Sequence, residues 1–189
     1  MIKAVFFDRD GTLIEDPGYL SSREQVVLIP QAVVFARICY LMGYSLFIVT
    51  NQSGIARGMF DEAFVQATND YVTLLLAEHG AIITKSYYCP HHKTAGSNPA
   101  YTRDCACRKP KPGMLTEAAL EYGIDLQRSF MIGDTERDLQ AGEAAGCVSL
   151  NIHDIIGLSI PAMESLLQSS DEQRMRMKKN RLPDNKERS

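Results

Sequence analysis

No apolar run in this sequence approaches the ~18 residues that a membrane span needs, and no charge of one sign dominates. Lys and Arg number 20 against 23 Asp and Glu, a formal net charge of -3. The basic residues form no stripe interleaved with aromatics, so neither nucleic acid nor a membrane is the expected partner. The opening Met1-Ile2-Lys3 leads straight into a short apolar run that meets charge at Asp8. It has neither the length nor the flanks of a signal peptide. Internal repeats are also missing. Cysteine is sparse and odd in number, at 5. Without an export signal, the cysteines are expected as thiols or metal ligands rather than a disulfide framework. We therefore expect a cytoplasmic, monomeric protein that handles a small molecule.

What is present is a chain of 189 residues, 45% hydrophobic and 23% charged, long enough to bury one core. Short apolar runs at 2–7, 45–50, 82–88, 129–133 and 147–151 alternate with helical patterns at 31–42, 61–79, 113–122 and 136–145. That alternation predicts an α/β fold, a three-layer Rossmann-like parallel sheet with helices on both faces. Asp61 is the expected N-cap of the second helix. Pro112 near the start of the third, with Gly123 and Gly146 as stops, frames the other two. We expect one domain over 1–168, with a long ordered loop through 89–112. The stretch 169–189 carries seven Lys or Arg against four acids and few apolar groups, and is expected to be a mobile polar tail.

The chemistry begins at Asp8-Arg9-Asp10-Gly11-Thr12, just past a strand's carboxyl end, where open parallel sheets bind ligands. Two carboxylates two residues apart can divide the work, one as nucleophile and one as acid then base. The same string could be a surface turn or part of a calcium loop. Against calcium, Leu13 and Ile14 are apolar where oxygen ligands should follow. Thr50-Asn51-Gln52-Ser53-Gly54 follows a second apolar run and offers a hydroxyl and N–H groups suited to anionic oxygens. Gly133-Asp134 adds an acid at a third strand end, and Lys109 precedes a helix. Converging carboxylates would repel by roughly 4 kcal/mol per pair at ~4 Å and an effective dielectric of ~20. A cation must compensate, and oxygen ligands suit Mg2+.

In that order, Asp8-Arg9-Asp10-Gly11-Thr12, Thr50, Lys109 and Gly133-Asp134 with Asp138 downstream resemble the four-motif signature of the haloacid dehalogenase (HAD) superfamily, over about residues 1–151. The resemblance implies a phosphatase in which Asp8 attacks phosphorus while Asp10 protonates the leaving oxygen and then activates water. It further implies that Thr50 and Lys109 hold the phosphoryl group, and that Mg2+ is bound by the Asp8 side chain, the Asp10 carbonyl and Asp134. Asp138 is either a support for that site or a favourable charge at a helix N-terminus. Gly11–Gln25 and Asn51–Phe60 are too short to build a large cap domain.

Cys89-Pro90-His91 and Cys105-Ala106-Cys107 supply three thiolates and an imidazole, the composition of a closed zinc site. They could equally be two buried thiols and an exposed His pair. A Cys105–Cys107 disulfide would close too short a loop, and Cys39 and Cys147 belong to apolar segments. Four protein ligands would make the Zn2+ structural, and Arg108 and Lys109 would be fixed by adjacency to Cys107. Arg108 could then grip a second anionic group on the substrate.

This loop and Cys107-Arg108-Lys109-Pro110 narrow the resemblance to the heptose 1,7-bisphosphate 7-phosphatase family, with the histidinol-phosphatase family nearby. It implies that His91 is the zinc ligand and His92 is spare. It implies a small phosphorylated sugar substrate on a route to surface glycans, contacted by Asp16, Pro17, Gly18, Tyr19, Thr50, Asn51, Gln52, Ser53, Arg108 and Lys109. Thr135 stands where that family often has Lys and is included as a substrate contact.

Overall fold

The computed structural model describes residues 2–169 except 17 and 95. Pro17 and the tail expected from 170 onward therefore lie outside the described residues. Strands β1 (Ala4–Phe7), β2 (Ser45–Asn51), β3 (Ile83–Cys89), β4 (Phe130–Gly133) and β5 (Val148–Asn151) alternate with helices α1 (Pro30–Leu41), α2 (Glu62–Glu78), α3 (Gly113–Tyr122), α4 (Glu136–Ala145) and α5 (Ile152–Ile155). The strands form one parallel sheet in the order β3-β2-β1-β4-β5. No helix among the described residues is long and apolar enough to cross a membrane.

The reason for the unbroken apolar runs is visible in β1, which is buried on both faces. Val5 and Phe7 pack with Phe35 of α1, Leu76 of α2 and, from helical residues 160–169, Met163 and Leu167. Ala4 and Phe6 face the other way, onto Met114 and Ala118 of α3 and Ala141 of α4. Asp61 caps α2, its carboxylate accepting from the Phe64 N–H at 2.8 Å. The expected strand at 2–7 is shorter in fact. Ile2 leaves the sheet to bridge Ile124 and is 43% exposed, so its apolarity did not mean burial. The helical residues at 160–169 and α5 were not foreseen.

The chain leaves β1 for β2 and β3 on one side, then returns to β4 and β5 on the other. The strand order therefore reverses beside β1, opening a crevice at its carboxyl end. Residues 90–94 and 96–112 cross this end, tied down by Asn98 N–H to Ala56 carbonyl at 3.0 Å and His92 N–H to Tyr101 carbonyl at 3.1 Å.

Candidate active site

Asp8 continues β1 into the crevice, its N–H donating to the Ile132 carbonyl of β4 at 2.8 Å. The Lys109 ammonium lies 2.8 Å from Asp8 Oδ1 and 2.6 Å from Asp138 Oδ1, and donates to the Val49 carbonyl at 2.8 Å. Its N–H donors are thus matched by three protein acceptors. Burial works against the Lys109 charge, but Asp8 and Asp138 outweigh it and hold the ammonium above the ordinary lysine range. Burial pushes the Asp8 carboxyl up to about 6, with Lys109 pulling it down and Asp138 adding to the rise.

Asp134, just past β4, closes the group. Burial holds its carboxyl above the usual carboxylate range. Oxygens of Asp8, Asp134 and Asp138 lie within 4.8 Å of one another. Asp138 is already taken up, accepting from the Thr135 N–H at 3.1 Å and hydroxyl at 2.5 Å besides pairing with Lys109. Asp8 and Asp134 remain to face a hard divalent cation, which their oxygen donors fit. Glycine makes this approach possible. A Cβ on Gly11 would sit 2.5 Å from Asp134 Oδ2, and one on Gly133 would sit 2.2 Å from the Asp138 Cβ. Thr12, fully buried, donates to Asp134 Oδ1 at 3.4 Å.

Asp10 is held from two sides. Arg9 Nε and Nη2 donate to its two oxygens at 2.9 Å each, and Gln52 Nε2 donates to Oδ2 at 2.8 Å. Gln52 Nε2 also donates to Thr50 Oγ1 at 2.8 Å. Since that hydroxyl accepts from Gln52, its own proton is left to donate into the crevice.

The cavity has a volume of about 350 Å³, within the usual range for small-molecule sites. Asp8, Asp10, Asp16, Gly18, Tyr19, Thr50, Asn51, Ser53, Arg108, Lys109, Asp134 and Thr135 all line it. Gln52 does not, being 5% exposed with its amide turned inward. Three lining residues escaped sequence reasoning: Arg57, His92 and Arg137. Arg137 had a legible signal, standing three residues past Asp134 at the head of a helix. Arg57 and His92 had none, because the folding of two loops brings them in.

The second cluster sits beside the first. Cys107 Sγ lies 3.2 Å from Cys89 Sγ, 3.3 Å from Cys105 Sγ and 3.5 Å from His91 Nδ1. All four donor atoms are within 4.8 Å of one another. These separations are far longer than the ~2.05 Å of a disulfide and approach the spacing of ligands around one tetrahedral zinc. Cys39 and Cys147 are buried elsewhere, and His92 turns to the cavity. Arg108 Nη1 donates to the His91 carbonyl at 3.1 Å, tying the guanidinium to this cluster.

Similarity to known proteins agrees with the geometry. Residues 106–153 match the HAD-hydrolase-like family model. A D-glycero-beta-D-manno-heptose-1,7-bisphosphate 7-phosphatase of Pasteurella multocida (strain Pm70) is 48% identical over 146 residues, covering 77% of this chain and 78% of the relative. A D-glycero-alpha-D-manno-heptose-1,7-bisphosphate 7-phosphatase of Photorhabdus laumondii is 39% identical over 145 residues, covering 77% and 79%. The solved structure of a D,D-heptose 1,7-bisphosphate phosphatase from B. bronchiseptica, complexed with magnesium and phosphate, shares 31% identity. It superposes with a TM-score of 0.71 over 89% of this chain and 99% of that one. With that degree of likeness across most of its length, the chain belongs to the heptose-1,7-bisphosphate 7-phosphatase family of HAD-like phosphatases and is a phosphoric monoester hydrolase.

Proposed function

We propose that this enzyme hydrolyses the 7-phosphate of a D-glycero-D-manno-heptose 1,7-bisphosphate, with magnesium, through a phosphoryl group carried on Asp8. The observation that carries the reading is the position of Asp8, at the carboxyl end of the central strand and within 4.8 Å of Asp134. The names of the relatives supply the substrate class.

In the first step an Asp8 oxygen bonds to phosphorus as the bond from phosphorus to the sugar oxygen breaks, and Asp10 gives that oxygen a proton. In the second, a water oxygen bonds to phosphorus, Asp10 takes the water proton, and the bond to Asp8 breaks to release inorganic phosphate. Such transfer is governed by in-line placement and charge neutralisation. Thr50 donates its hydroxyl proton to the phosphoryl oxygens, and Lys109 balances the charge of Asp8 and Asp138. Magnesium bound by the Asp8 side chain, the Asp10 carbonyl and the Asp134 side chain would neutralise charge building on the phosphoryl group.

Arg108 lines the same cavity and offers a guanidinium for the 1-phosphate, where a forked donor gives directional recognition. Zinc on Cys89, His91, Cys105 and Cys107 would be structural, holding Arg108 and Lys109 at the cleft.

Phosphate release measured with magnesium on the α and β anomers of heptose 1,7-bisphosphate and on histidinol phosphate tests the reading. Faster turnover of a heptose bisphosphate is expected. A clear preference for histidinol phosphate would overturn the substrate assignment.

A further inference from the structure

No residue of α2 lines the cavity, yet the helix contributes a buried polar side chain that serves it. Asn69 lies near the middle of α2 and is fully buried. Asparagine is a poor choice there, since it weakens helix interiors and its amide must be desolvated. A structural role would call for both halves of the amide to be satisfied. Only one is. Asn69 Oδ1 accepts from Arg9 Nη1 at 2.9 Å, while Nδ2 is buried without a hydrogen-bond partner among the described residues. The residue therefore costs stability where it stands, and what it contributes is an acceptor for Arg9.

Arg9 is 3% exposed, and its fork is divided between Asn69 through Nη1 and the two oxygens of Asp10 through Nε and Nη2. A planar guanidinium held at both ends cannot swing, so the plane of the Asp10 carboxylate is set by α2. Gln52 occupies a second acceptor position on Oδ2. Among the described residues Oδ1 has Arg9 as its one protein donor, which leaves it the oxygen open to a substrate or water proton.

We propose that Asn69 is a positioning residue for catalysis, acting through Arg9 to aim Oδ1 of Asp10 at the leaving oxygen and then at the hydrolytic water. The proposal rests on the reading of Asp10 as the proton-transferring group. Without the Asn69 acceptor the guanidinium turns, and both proton transfers lose their alignment while substrate binding is kept.

The test is Asn69→Leu, similar in size but without an acceptor, beside Asn69→Asp, which keeps one. Both are assayed with magnesium on heptose 1,7-bisphosphate and on 4-nitrophenyl phosphate, whose phenolate departs without needing a proton. For Asn69→Leu on the sugar, kcat should fall at least ~10-fold with little change in KM. On the aryl ester it should give a burst of nitrophenolate stoichiometric with enzyme, then slow turnover, because phosphoryl transfer to Asp8 is spared and water activation is not. Asn69→Asp should stay close to the parent. Equal losses on both esters without a burst, or an unchanged enzyme, would overturn the proposal. Arg9→Lys keeps the charge but cannot span Asn69 and Asp10 together. It should show the same dependence on leaving group, and its failure to do so would also overturn the proposal should Asn69→Leu not fold. A parent enzyme that releases no phosphate from either ester would remove the underlying reading with it.

Discussion

Asn51 closes a reciprocal pair of hydrogen bonds on the backbone of Lys109: its Oδ1 accepts from the Lys109 N–H at 3.1 Å and its Nδ2 donates to the Lys109 carbonyl at 3.1 Å. The end of β2 is thereby sewn to the loop that carries the Cys/His cluster. The lysine that neutralises Asp8 is placed by an amide 58 residues away in sequence.

Asn51→Ala should therefore lower kcat at least ~10-fold, by letting the Lys109 backbone drift. Its cost in stability should be about 1–3 kcal/mol, since two buried backbone groups lose their partners. Steady-state phosphate release and urea unfolding measure the two effects separately.

Asp8 yields a pH prediction with a definite sign. Its carboxyl is pushed up to about 6 from an ordinary 3.8. A folded-state value above the unfolded one contributes stability that is full below the ordinary carboxylate range and lost as pH rises through about 6. In magnesium-free protein with the Cys/His cluster left intact, Asp8→Asn should thus gain stability over the parent as pH climbs from about 4 past 6. The same variant should show no turnover at any pH. Calorimetry across that window and a phosphate assay check the pair, and a parent that grows steadily more stable than the variant would contradict the sign.

Asp138 borders the cavity but supports Lys109 rather than standing as a free acid, since it is 1% exposed, paired to the lysine and capping α4. Asp138→Ala should destabilise by about 3–5 kcal/mol, because a buried ammonium loses a counter-charge. Asp138→Asn keeps an acceptor for Thr135 and should cost less. Thermal unfolding of the two variants compared directly is the measurement.

Removal of metal from the Cys/His cluster should loosen residues 90–112 and, through them, Arg108 and Lys109. Metal analysis of protein purified without added zinc is expected to find it bound, and stripping by a chelator should cost activity and expose the loop to proteolysis. An active protein that never contained zinc would refute the structural role.

Much of this molecule is legible in its sequence. A strand buried on both faces must be apolar throughout, so β1, β2 and β4 announced themselves, and the acids at their ends followed directly. Helix boundaries were readable because caps act locally: Asp61 reaches only to Phe64. That Cys89, His91, Cys105 and Cys107 belong together was readable because cysteine is rare and conspicuous.

The tertiary structure decided what depends on distance in space. Gln52 reads as one more polar residue in a substrate loop, and only folding turns its amide inward onto Asp10 and Thr50. Arg9 lies inside the motif, but that it is a brace and not a spacer depends on Asn69, 60 residues away. Asp138 is a helix-end acid, as its place in the sequence allows, but its second role as partner of Lys109 at 2.6 Å comes from the fold. Local sequence governs caps, strands and runs of acids, because those forces act over a few residues. The partner of a buried charge is chosen by the packing of the whole sheet, and no short window of sequence contains it.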